Sequence, residues 1–178
     1  SITDWLSRAK NIDFCVRNVI NGCHTDCVGD NGIEKYSPRD GSLLYQINTG
    51  TKEDIDQAVS SARQAFKDKR WRGLTLLQRK SVLHKLADLV DAHQDTFALY
   101  ECLDVGKPIS QALGEVTQAS GILRECAEGV DKLFSPYLAD GTYCTFQLRK
   151  PVGVVGAIIG WNFPLILAAM KVGPALIM

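Results

Sequence analysis

Apolar residues crowd into one short stretch late in this chain: Val152, Val154, Val155, Ala157, Ile158 and Ile159, separated only by Gly153 and Gly156. A run this short and this apolar predicts a strand covered on both faces, as in a parallel sheet. Trp161-Asn162-Phe163-Pro164 follows, and then Leu165, Ile166, Leu167, Ala168, Ala169 and Met170. The pattern predicts strand, turn and helix, with Asn162 as N-cap and Phe163 and Pro164 opening the helix. Ligands of open parallel sheets gather at the carboxyl ends of strands, so a polar residue on this turn is placed to touch one. Two readings of Asn162 stand open here, a helix cap and a ligand-facing amide.

Upstream, the pattern moves from short strands to helices and back. Val19-Ile20-Asn21-Gly22 and Arg39-Asp40-Gly41-Ser42 are hairpin turns beside β-prone runs such as Ser42 to Ile47. Thr51 caps a helix with acids in its first turn, ahead of Ile55, Val59, Ala62 and Phe66 at helical spacing. Thr75 and Gln78 form a capping box leading to Val82, Leu83, Leu86, Leu89 and Val90. Asp95 to Leu103 is a further helix, ended by Gly106 and Pro108. Ser110 to Leu133 is a long one, weakened by Gly114, Gly121 and Gly129. Tyr143 to Leu148 alternates, with Cys144, Phe146 and Leu148 on one side, which predicts a half-exposed antiparallel strand.

Composition narrows the classes. The 178 residues are 46% hydrophobic and 22% charged, enough for a domain with a core. Lys plus Arg and Asp plus Glu number 20 each, so no bulk field draws nucleic acid or an anionic membrane. No run approaches the roughly 20 apolar residues of a membrane span. The opening residues mix Arg8, Lys10 and Arg17 with Asp4 and Asp13, which predicts neither a signal nor a transit peptide, and the expected address is the cytoplasm. The six cysteines, Cys15, Cys23, Cys27, Cys102, Cys126 and Cys144, are scattered and read as free thiols. Cys23 and Cys27 have a spacing used in zinc sites, but a tetrahedral site needs four ligands and no second pair follows, so no metal is expected. His84 and His93 read as helix-surface residues, Asp104 as a turn former, and Lys107 as solvated.

From Pro151 on, the sequence resembles the aldehyde dehydrogenase superfamily. That family's signature runs approximately P-V-G-V-x-x-x-I-x-P-W-N-[FY]-P-L, then K and P-A-L. This chain matches it at Pro151, Val152, Gly153, Val154, Ile158, Trp161, Asn162, Phe163, Pro164, Leu165, Lys171, Pro174, Ala175 and Leu176. Shorter echoes lie at 36–41, 58–66, Trp71, 79–83 and 103–108. Gly160 departs from the pattern, standing where the family usually has proline.

The resemblance implies an α/β fold: an incomplete Rossmann-like parallel-sheet cofactor-binding domain with N-terminal hairpins, a helical segment and a β-extension for oligomerisation. It divides the chain into 1–136, the first part of the dinucleotide-binding domain; 137–150, the β-extension; and 151–178, the start of the Rossmann-like core, with the catalytic domain absent. For 143–148, the alternative is an edge strand of the same domain. The implied activity is oxidation of an aldehyde to a carboxylic acid with NAD or NADP through a cysteine thiohemiacetal. Asn162 would donate to the oxyanion; Ile158, Ile159, Gly160, Trp161 and Asn162 would line the cofactor cleft, and Phe163, Leu167 and Met170 the aldehyde tunnel. The implied partners are a small aldehyde and, in a full-length protein, further copies in a homo-dimer or homo-tetramer, with no nucleic acid or membrane. The nucleophilic cysteine and general-base glutamate of that family lie in later segments, so the chain is expected to be a truncated subunit, inactive alone, whose last helix exposes unpaired carbonyls and bare Leu and Ile. The alternative is a non-catalytic module that binds nucleotide or a full-length relative.

Overall fold

The computed structural model describes residues 2–26, 32–132, 136–139 and 141–177. Helix α1 (Ile2–Lys10) comes first. Strands β1 (Asn18–Ile20) and β2 (Cys23–Thr25) follow, joined by Asn21 and Gly22, whose φ values of 54° and 76° suit a tight two-residue hairpin turn. A second hairpin pairs β3 (Gly32–Tyr36) with β4 (Leu43–Asn48), and Asp40 fastens its turn by accepting from the Ser42 N–H at 3.1 Å. The Arg39 guanidinium and the Ser42 contacts hold the Asp40 carboxyl well below the usual carboxylate range.

Both predicted capping boxes form. Thr51 and Asp54 cap α2 (Lys52–Lys67), and Thr75 and Gln78 cap α3 (Leu76–Ala92). Helix α4 (Gln94–Val105) ends at Gly106, with φ 88°, and α5 (Ile109–Gly129) runs unbroken through Gly114 and Gly121. A short 3-10 turn, Val130–Lys132, closes it. Strands β5 (Tyr137–Ala139) and β6 (Cys144–Phe146) make a third hairpin, and α6 (Pro164–Ile177) is last.

Helix α5 is the centre. Its Ala112, Val116, Ala119, Leu123 and Ala127 recur at helical spacing and join Leu83, Ala87 and Val90 of α3, Ala98 of α4, and Ile166, Ala169 and Ile177 of α6 in one buried cluster. Small residues let α6 approach closely: a methyl group added at Gly173 would sit 2.9 Å from Cys126 Sγ. Among the described residues no helix is long and apolar enough to cross a membrane.

Several expectations need correcting. Residues 152–159 form no strand; Val152 and Ile158 are 90% and 96% exposed, because a buried strand needs paired neighbours and the three described sheets are separate two-stranded hairpins. The α2 stripe is only partly covered, with Ile55 and Val59 exposed, and on α3 Val82, Leu86 and Leu89 face outward. Strand β6 is exposed on both faces rather than one. The end of α6 is not bare: Ile177 is 2% exposed and the Trp71 indole N–H donates to the Leu176 carbonyl at 2.8 Å. Phe14, in a segment the sequence left unassigned, packs its ring at a tilt against Tyr45 and Tyr100.

Candidate active site around Asn162

The start of α6 is set by Pro164. The Phe163 carbonyl accepts from the Leu167 N–H at 2.9 Å, so Phe163 is the cap and Pro164 holds the first helical position, where its missing N–H costs nothing. Asn162 therefore stands one residue outside the helix, not at its N-cap. Its carboxamide has no hydrogen-bond partner among the described residues. Its Oδ1 folds toward Gly160, at 3.1 Å from where a Cβ would stand, and Leu167 Cδ1 lies equally close to that point. The family's usual proline would crowd both atoms, so Gly160 sets the room available to Asn162.

A carboxylate from another helix does the capping. Glu101 of α4 accepts the Leu165 N–H at Oε1, 3.1 Å away, and a bond from Lys107 Nζ at Oε2, 2.9 Å away. Lys107 also pairs with Glu115 of α5, whose other oxygen accepts from Gln111 Nε2 at 3.0 Å. The three charged side chains are only 9% (Lys107), 5% (Glu101) and 8% (Glu115) exposed. Lys107 Nζ lies 4.2 Å from the centre of the Phe163 ring, a cation–π contact. Burial pulls the Lys107 ammonium down, but the bonds to Glu115 and Glu101 outweigh it and its pKa stands above the ordinary lysine value.

Lys107 was expected in solvent; the left-handed turn at Gly106 instead folds it back over α4, where the two carboxylates hold it. Asp104, expected to form a turn, lies in the last turn of α4 and accepts from the Tyr45 hydroxyl at 2.6 Å, with Lys35 Nζ at 3.4 Å. A methyl at Gly106 would lie 2.9 Å from Pro38 Cγ, so the 36–41 turn packs against the 103–108 segment.

The remaining predicted residues take two positions. Ile158 and Trp161 stand open to solvent, and Ile159 and Gly160 lie exposed between them. Phe163, Leu167 and Met170 share one face of α6; Phe163 covers Lys107, Leu167 backs Gly160, and Met170 is exposed. Glu101, Lys107 and Glu115 were not singled out from sequence as a group. The available signal was a lysine just past a glycine helix stop, with acids six residues before and eight after it.

Other chemistry is quieter. Burial pushes the Cys102 and Cys126 thiols up, away from thiolate. The Cys23–Cys27 pair reaches residue 27, outside the described residues. On the surface, His84 Nε2 meets Glu128 at 2.8 Å and Lys80 bridges Glu128 and Asp131.

The aldehyde dehydrogenase family model matches residues 25–178. Aminoacetaldehyde dehydrogenase of Pseudomonas aeruginosa is 38% identical over 183 residues, covering 98% of this chain and 37% of that protein. The NADP/NAD-dependent aldehyde dehydrogenase PuuC of Escherichia coli is 38% identical, covering 97% and 35%. The crystal structure of aldehyde dehydrogenase KauB from P. aeruginosa superposes with a TM-score of 0.93 at 37% identity, covering 98% of this chain and 36% of that one. A mutant of P. syringae AldA indole-3-acetaldehyde dehydrogenase, solved with NAD+ and IAA, gives the same TM-score, identity and coverage. The chain thus spans a little over a third of the length of these relatives. With that match over most of its residues, and with the α/β fold of those structures, the chain belongs to the aldehyde dehydrogenase family.

Proposed function

We propose that this chain is the amino-terminal portion of an NAD(P)-dependent subunit that oxidises an aldehyde to a carboxylic acid, with Asn162 as the oxyanion donor. The observation that carries it is the Asn162 carboxamide, left out of the α6 cap while Glu101 takes the Leu165 N–H. An amide suits the role because it donates without carrying a proton that can be lost. Its Nδ2–H would meet the carbonyl oxygen as a cysteine thiolate from outside these residues adds to the aldehyde carbon to give a thiohemiacetal. A glutamate, also from outside them, would serve as general base for hydrolysis of the thioester.

NAD(P)+, when bound, supplies the hydride acceptor. Ile158, Ile159 and Trp161 offer open apolar surface, and residues 148–162 make no backbone hydrogen bonds among the described residues. Apolar faces beside free backbone amides fit a planar nicotinamide carboxamide. Phe163, Leu167 and Met170 would guide the aldehyde along one face of α6. Strand β6 of the third hairpin, exposed on both faces, would pair with a second copy in a homo-dimer or homo-tetramer.

The test uses the full-length subunit carrying these residues, with reduced nicotinamide followed by absorbance. Asn162→Ala is expected to lower kcat by about 10²- to 10³-fold with KM changed little. An unchanged kcat refutes the role.

A further inference from the structure

The Leu165 N–H is contested. A helix N-cap side chain accepts from the second or third helical N–H. Were Asn162 the cap, Phe163 would be first, Pro164 second and Leu165 third. Pro164 has no N–H, so Leu165 would be the one donor that Asn162 could cap. Glu101 already holds that donor, at 3.1 Å. A carboxylate there also answers the positive end of the α6 dipole, which a neutral amide does less well.

Glu101 is held in turn. Lys107 binds its other oxygen, Glu115 and Gln111 complete the chain of bonds, and the Lys107 ammonium lies against Phe163, the residue next to Asn162. A cluster with two carboxylates and one ammonium, almost wholly out of solvent, is a costly way to fix one helix end. An asparagine beside that helix end could have capped it locally.

We propose that Glu101 is a positioning residue: by occupying the Leu165 N–H, with Lys107 and Glu115 fixing it there, it keeps the Asn162 carboxamide off α6 and free for the oxyanion. This rests on the role given to Asn162 above. Removing the Glu101 carboxylate leaves the Leu165 N–H vacant, and the Asn162 side chain folds onto it across the Phe163 cap, which withdraws the amide.

The catalytic arm compares four forms of the full-length subunit: wild type, Glu101→Ala, Asn162→Ala and the double variant. Glu101→Ala is expected to lower kcat by at least about tenfold, with KM within about threefold, since it withdraws a transition-state donor. The double variant is expected to match Asn162→Ala, because Glu101 acts through Asn162 and the two losses do not add. Glu101→Gln keeps an acceptor for Leu165 and is expected to restore kcat to within about threefold of wild type. Losses that multiply in the double variant, or an unchanged kcat in Glu101→Ala, overturn the proposal while leaving the Asn162 role standing. An unchanged kcat in Asn162→Ala sinks that role itself.

The second arm needs no variant. In the wild-type 178-residue chain, amide exchange read by NMR is expected to be at least about tenfold slower at Leu165 than at Trp161, because an uncapped amide in a first helical turn exchanges almost freely. An unprotected Leu165 overturns the capping step whatever the activity.

Discussion

Lys107→Met removes the cluster's one cation and keeps a side chain of similar reach. Glu101 and Glu115 remain, 5% and 8% exposed, and their oxygens had met at one nitrogen. Two such oxygens stand roughly 4 to 5 Å apart, and at an effective dielectric of about 20 unit charges at that distance repel by about 3 to 4 kcal/mol. Breaking a buried pair by removing one partner costs about 3 to 5 kcal/mol. Loss of the Phe163 cation–π contact adds about 1 kcal/mol, and the apolar methionine stem offsets a similar amount. The expected net loss is about 3 to 5 kcal/mol, a large share of the roughly 5 to 15 kcal/mol that holds a domain folded. For a chain of this length that lowers Tm by about 6 to 20 °C.

The sign of the pH response tests the cause. In wild type the Lys107 pKa is raised above 10.5, so its contribution is complete below 10.5 and is lost only as pH rises through the folded value; the deficit of Lys107→Met therefore narrows above pH 10.5. Thermal unfolding of the 178-residue chain and of the variant by circular dichroism at pH 7 and above pH 10.5 reads the loss and its pH dependence. A Tm within about 2 °C of wild type at pH 7, or a deficit that widens above pH 10.5, refutes the reasoning.

Trp71→Phe deletes the indole N–H given to Leu176 and is expected to cost about 1 to 2 kcal/mol, read as a lower urea midpoint at constant m. Gly121→Ala, in an α5 position with nothing within 4 Å, is expected to stabilise by about 1 kcal/mol and raise Tm; a fall would contradict the helix geometry. Gly173→Ala is expected to do the opposite by about 1 to 3 kcal/mol, since the new methyl meets Cys126 Sγ at 2.9 Å and Cβ at 3.2 Å, and an unshifted Tm would show that α5 and α6 are looser than described.

What was legible in the sequence was what neighbours along the chain decide. Asn21-Gly22 makes its turn because both residues tolerate positive φ, and Thr51 and Thr75 make their capping boxes with residues three positions on. Gly106 stops α4 for the same local reason. The apolar run at 152–159 failed as a strand because composition states what a segment would do when paired and says nothing about whether partners are present. The stripe of α2 failed similarly: helical spacing gives Ile55 and Val59 a common side but not a surface to cover it.

The error at Asn162 is of another kind, because the sequence did hold the answer. Asparagine is among the best N-caps, and that preference pointed to position 162, but Pro164 is a stronger constraint. A proline favours the first helical position, which moves the cap to Phe163, a residue whose side chain cannot cap. The capping residue itself then offers no side-chain acceptor, a distant carboxylate takes the Leu165 N–H, and a lysine reading as solvated at 107 hid the group that does. Glu101 became visible only when α4, α5 and the 160–165 turn came together in space, 64 residues apart in the chain. An asparagine that motif and propensity both mark, at a helix end whose cap comes from elsewhere, is one whose side chain the fold has kept out of structural work.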